Sequence, residues 1–199
     1  MPALRPFYFF LILTIGLTAC SAGKSEAEAN QDDKAEQLPK VDASKFRKFQ
    51  GEGFTIQLLK EMSWNRASGM TLLDADHLSK QYHVTIQSYP ISYFKNDSQF
   101  PKDSKKQLKW FATAEGNALK GKLLNVKFEE MTETLVNKRK CFKQTIHGKA
   151  YGFPLRKTFF LRYYETDNSL IKISAWTTSE HAEGYEKLAQ YMGMTFKAK

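Results

Sequence analysis

The segment from Arg156 to Tyr164 sets the strongest limit on how this chain folds. Its residues alternate with the period of a strand, Phe159, Leu161 and Tyr163 falling on one side and Phe160 and Tyr164 on the other. A strand with large apolar groups on both sides must be covered on both sides. It therefore belongs at the centre of a sheet with further layers packed above and below. The polar run Glu165-Thr166-Asp167-Asn168 turns the chain into Ser169 to Trp176, where Ile171, Ile173 and Ala175 form one face.

Earlier segments supply more strands. Phe46 to Gln50 and Phe54 to Leu58 flank a Gly51-Glu52-Gly53 turn, and Met70 to Ala75 precedes Tyr82 to Tyr89, whose Tyr82, Val84 and Ile86 share a side. Val126 to Met131 and Cys141 to His147 return to the same alternation. Two helices interrupt them. Ser104 is placed to cap the first, with Leu108, Phe111, Ala112 and Leu119 at helical spacing before Gly121. Thr177 and Glu180 have the spacing of a capping box for the second, with a stripe of Tyr185, Leu188, Ala189 and Met192 and a close at Gly193. No repeat of fixed period occurs. The pattern predicts one α+β domain over residues 46–199, an antiparallel β-sheet sandwiched by helices, near the commonest single-domain size of about 150 residues.

The first forty-five residues belong to another regime. Arg5 precedes an almost wholly apolar run, Phe7 to Leu17, and the chain turns polar at Ser21. From Phe7 to Ala19 there are 13 residues, whereas a membrane-spanning helix needs roughly 20. The features are those of a secretory signal with a small-residue cleavage site. Leu17-Thr18-Ala19-Cys20 resembles the lipobox of bacterial lipoproteins at all four positions. That resemblance implies a signal peptide over 1–19 and a lipid-modified Cys20 carrying a diacylglycerol and, usually, an amide-linked acyl chain such as palmitate. Two chains give stable anchoring where one is marginal. It also implies export to the cell envelope. Ser21 in place of Asp points to the outer membrane facing the periplasm, with the cytoplasmic membrane as the other location. Residues 20–45 contain no aromatic side chain and only Leu38 and Val41 as large aliphatics, so they read as a flexible tether. The tether carries a net charge of about −2, which leaves about +10 on the domain.

The domain itself resembles the PsbP-like sandwich. The resemblance rests on Gly53-Phe54-Thr55-Ile56-Gln57-Leu58 followed by Trp64, a mid-chain helix, a long hairpin, and a last helix ending in Met194-Thr195-Phe196. The Pro that often precedes the Trp is absent. The resemblance implies a fold and a tendency toward protein binding without catalysis; it transfers no site residue.

Catalytic signatures are missing. The sequence has no Gly-x-Ser-x-Gly, His-Glu-x-x-His or Cys-x-x-Cys, and His77, His83, His147 and His181 lie too far apart for local metal-ligand spacing on a helix. Nothing calls for a metal or cofactor. Asp74 and Asp76 lack the Gly and distal Glu of a calcium loop and read as a solvated turn. With Cys20 acylated, Cys141 has no disulfide partner; it is either a thiol activated by Lys138, Arg139, Lys140 and Lys143 or a buried small hydrophobe. A dyad with His147 is excluded, because six residues along one strand span ~20 Å.

Basic residues are the more suggestive feature. Lys102, Lys105, Lys106 and Lys109 form one cluster, Lys138 to Lys143 another, and Arg156-Lys157 a third. Lys105, Lys106 and Lys109 fall opposite the apolar stripe of the first helix and form a candidate interaction face for an acidic envelope protein. Export argues against nucleic acid, and no nucleic-acid module is recognisable. The sequence thus predicts a non-catalytic protein-binding or assembly module tethered to a membrane, the alternative being a carrier of a small apolar ligand or lipid in a pocket between helix and sheet. Replacing Cys20 by Ala is expected to prevent lipid attachment and move the protein out of the detergent phase in phase partitioning. A variant that still partitions with detergent refutes the anchor.

Overall fold

The computed structural model describes residues 35–65 and 68–198. The signal region, Leu17-Thr18-Ala19-Cys20 and the tether as far as residue 34 lie outside the described residues. In chain order the elements are β1 (Phe46–Gly51), β2 (Phe54–Leu59), β3 (Ser63–Asn65), β4 (Thr71–His77), β5 (Tyr82–Pro90), α1 (Ser104–Lys120), β6 (Leu123–Phe128), β7 (Thr132–Val136), β8 (Arg139–Ala150), β9 (Arg156–Glu165), β10 (Ser169–Thr178), α2 (Ala182–Met194) and β11 (Lys197–Ala198).

The large sheet has the order β3-β4-β5-β10-β9-β8-β6, and β7 joins the other half of the same edge of β8. Every pairing in it is antiparallel. The two-sided strand β9 sits between β10 and β8, as its pattern requires. On one face Leu161 and Tyr163 pack with Phe142, Ile146 and Leu170 against Leu108, Phe111 and Ala112 of α1. On the other face Tyr164, Ile171, Ile173 and Ala175 meet Tyr185, Ala189 and Met192 of α2, together with Phe54, Ile56 and Leu58 from the small sheet β1-β2-β11. The result is the expected α+β sandwich, antiparallel sheet between helices.

Local chemistry explains the turns. The β7–β8 hairpin closes on Asn137 and Lys138, at φ 52° and 66°, the left-handed pair that a two-residue turn between right-twisting strands demands. Asn137 is suited to it, and its Nδ2 also donates to the Met194 carbonyl at 3.0 Å. Several expectations are corrected at element ends. Asp103, not Ser104, caps α1, its carboxylate accepting from the Lys105 N–H at 3.0 Å. Thr177 lies inside β10, and α2 begins at Ala182 with His181 as its N-cap residue, making no side-chain cap bond. α2 passes Gly193 to end at Met194. Asp74 and Asp76 sit in strand β4 rather than a turn.

Residues 35–45, read from composition as part of the tether, lie on the domain. Ala35 forms a parallel bridge with Leu135 of β7, and the Glu36 N–H donates to the Leu135 carbonyl at 3.2 Å. Val41 packs on the α2-side core, and Asp42 caps a single 3-10 turn leading into β1. Burial predicts where the fold is sensitive. Leu58 is 0% exposed and Leu78 is 77% exposed, so Leu58→Ala is expected to cost about 2–5 kcal/mol and Leu78→Ala less than about 0.5 kcal/mol in denaturant unfolding. Equal costs contradict this placement of the core.

Candidate functional site

The α2-facing side of the central strand reads Phe160, Arg162, Tyr164, so a guanidinium stands in the middle of an apolar face. Arg162 is buried, 7% exposed. A buried charge is costly unless paired and hydrogen-bonded. The sheet does not supply the partner: Arg162 faces Lys143 across the β8–β9 register, a like charge. The N-terminal segment does. The Glu36 carboxylate accepts from Arg162 Nη1 and Nη2 at 2.8 Å each, a bidentate pair. Lys143 Nζ donates to the same carboxylate at 3.1 Å, and Gln190 Nε2 of α2 does so at 2.6 Å.

Electrostatics follow from that geometry. Burial pushes the Glu36 carboxyl up, but the hydrogen bonds and charges of Arg162 and Lys143 outweigh it and hold it at about 2. Burial acts to depress Arg162, and the bond to Glu36 more than reverses that, so its charge is fixed. A Cβ added at Gly193 would stand 2.5 Å from Arg162 Cδ. Glycine therefore lets α2 close over the arginine stem, and the Tyr164 hydroxyl donates to the Gly193 carbonyl at 2.9 Å beside it.

Around the carboxylate lies a cavity of about 270 Å³ between sheet and α2. Phe160, Ile173, Ala175 and Ala189 give it apolar walls, and Glu129, Glu130 and Glu186 also line it. The site grips a carboxylate from three side chains, on β8, β9 and α2. Cys141, next along the β8 face, is 0% exposed, and burial raises its thiol; of the two readings of this residue the buried hydrophobe holds. No described histidine lines this cavity. The histidines are dispersed: His77 bonds Glu61 at 2.7 Å, His83 stacks on Trp176, His147 Nδ1 lies 2.9 Å from the Thr158 hydroxyl, and His181 is exposed. Among the described residues no group of three or more His, Cys, Asp or Glu is placed to hold a metal.

The sequence-derived candidates lie elsewhere. Lys105, Lys106 and Lys109 are exposed on α1, which packs on the opposite face of the sheet, and Lys106 approaches Asp103 at 3.8 Å. Cys20 is outside the described residues, and no described helix is long and apolar enough to cross a membrane. Arg162 had a legible signal, a charge in the middle of an aromatic strand. Glu36 and Gln190 had none.

The ion pair gives a pH prediction. Glu36 titrates near 2 in the folded chain, below the ordinary 4.5. Its contribution is therefore fully present above about 4.5 and lost as pH falls toward 2. Glu36→Gln is expected to cost about 3 kcal/mol at neutral pH by leaving Arg162 without a counter-charge. It should also flatten the loss of stability between those two pH values. An unchanged slope shows that the carboxylate does not carry the pairing.

No family profile matches the chain, and no curated protein matches it in sequence. Solved structures do match in shape. The solution structure of cyanobacterial PsbP (CyanoP) from Synechocystis sp. PCC 6803 superposes with a TM-score of 0.57 at 9% identity, covering 82% of this chain and 98% of that one. A structure from Bacteroides thetaiotaomicron VPI-5482 gives 0.51 at 11% identity over 78% of this chain and 49% of its own. A mutant of the protein Mog1 gives 0.50 at 11% identity over 77% and 95%. At such identities the likeness concerns architecture alone: the chain has the α+β fold shared by PsbP and Mog1.

Proposed function

We propose that the chain is a non-catalytic binding module of the cell envelope, lipid-anchored through Cys20, that takes an extended acidic segment of a partner protein. One observation carries this reading. The segment at Ala35-Glu36 meets β7 through a single parallel bridge and delivers a carboxylate to Arg162, Lys143 and Gln190. That is how peptides are recognised at a sheet edge: main-chain bonds supply affinity, and a pocket for a side chain supplies selectivity. The chain thus places its own ligand in the cleft, and a partner's Asp or Glu competes with Glu36 for the same donors. Lys143, with a side chain 41% exposed, is the donor an incoming segment reaches first.

A carrier of a small apolar ligand is a weaker reading. The cavity falls below the ~300–1,000 Å³ usual for such sites, and a paired guanidinium occupies its floor.

The test uses a peptide with the sequence of residues 35–41, Ala-Glu-Gln-Leu-Pro-Lys-Val. It is expected to bind the Glu36→Gln chain and raise its melting temperature, whereas the same peptide with Gln at its second position does neither. Adding Lys143→Glu is expected to weaken binding about tenfold. Equal binding of the two peptides refutes a carboxylate-reading cleft.

A further inference from the structure

The connection between β8 and β9, residues 151–155, is a protruding apolar tip. Tyr151, Phe153 and Leu155 are 67%, 46% and 37% exposed, and Gly152 at φ +74° turns the chain between them. Leu124, 40% exposed, stands opposite Lys149 at the start of β6 and extends the patch. Single exposed apolar residues need no explanation, but a contiguous group at one loop does.

The tip stands on a basic stem. Lys149 faces Arg156 across the β8–β9 pair. Lys157 lays its ammonium 4.2 Å from the centre of the Phe153 ring and 3.7 Å from that of Trp176, and Arg156 Nη2 donates to the Asn125 carbonyl at 3.0 Å. Lys122 adds a further charge on the neighbouring strand connection. No Asp or Glu occurs from residue 116 to 128 or from 134 to 164. The segments that build the tip therefore carry cations alone.

We infer that this tip is a docking surface for an anionic lipid bilayer, Tyr151, Phe153 and Leu155 entering the headgroup region while Lys149, Arg156 and Lys157 meet lipid phosphates. Apolar side chains backed by clustered cations are the composition that binds such an interface. A stable protein partner needs roughly 800 Å² on each side, more than a five-residue loop offers, whereas a bilayer accepts a small convex probe. The surface is separate from the Arg162 cleft and does not depend on a lipid at Cys20. It fixes how the domain faces the membrane, whichever way the chain is held there.

Hydrogen exchange of the full chain on vesicles tests this. The comparison is between phosphatidylcholine vesicles and vesicles in which part of that lipid is replaced by phosphatidylglycerol. Amides of residues 151–157 are expected to exchange about tenfold more slowly on the anionic vesicles. The difference should vanish in a Tyr151→Ser, Phe153→Ser, Leu155→Ser chain, whose changes are exposed and should leave the melting temperature in place. It should vanish also in a Lys149→Gln, Arg156→Gln chain. Equal exchange on both kinds of vesicle overturns the inference. So does equal slowing by soluble polyglutamate, which assigns the tip to an acidic protein, or persistence of the effect in the triple serine chain, which removes insertion.

Discussion

The charge on Arg162 is the constraint on which the α2 side of the molecule depends. A guanidinium buried on the central strand needs a counter-charge, and its cross-strand neighbour Lys143 adds to the imbalance. The compensating carboxylate comes from the segment that precedes β1. Glu36 supplies it, and one carboxylate then fixes four parts of the chain: β8 through Lys143, β9 through Arg162, α2 through Gln190, and the N-terminal segment itself. Networks of this kind are worth more than their separate pairs, and removing a member leaves a buried charge unpaired. The folded unit accordingly includes residues that composition assigns to a tether.

The two faces of the sheet divide the work. On the α1 face Tyr89, Phe94, Phe100, Trp110 and Phe111 form a run of ring contacts with centroids 5.1–6.3 Å apart. Beneath α1 the ion pair of Lys172 with Glu115 at 2.7 Å is closed on itself, both side chains being mostly buried. Such a face stabilises through ring packing. The α2 face instead spends part of its area on polar donors around a cavity, with Gly193 letting the helix approach the arginine stem.

Much of this architecture was legible in the sequence, because strand and helix periods report burial directly. Phe159 to Tyr164 announced a two-sided central strand, and the α1 and α2 stripes named the residues that reach the core. What failed was end chemistry: Asp103 competes with Ser104 for the same cap, and Thr177 is held in β10 by its ladder with Thr158. β3, β7 and β11, with 3, 5 and 2 residues, are too short for a period to show. Of the cleft, the sequence reading passed over Arg162, although a charge in the middle of an apolar strand is a signal that could have found it. Its partner left no such signal, since Glu36 lies 126 residues away in a stretch whose composition resembles solvent-exposed chain. Sequence pattern detects burial of apolar groups; it does not detect burial of a polar group that is satisfied at a distance.

The position of Glu36 also limits how far the domain stands from its proposed anchor. Counted from Cys20, a tether ending at Phe46 has 26 residues and one ending at Glu36 has 16. At about 3.5 Å per residue the fully extended limits are ~90 Å and ~55 Å. A folded unit of this size is itself roughly 40 Å across, so under the proposed anchoring a seated Glu36 would keep the membrane within about one and a half domain diameters. A competing acidic segment that displaces Glu36 would release the chain toward Val41, which packs on the core, and lengthen the reach. Occupancy of the cleft and distance from the membrane are then coupled through a single carboxylate. A basic apolar tip that meets the bilayer favours the short, seated state by holding the domain close. Partner binding and membrane contact would in that case oppose each other: what frees the cleft lengthens the tether, and what shortens the tether keeps Glu36 in place.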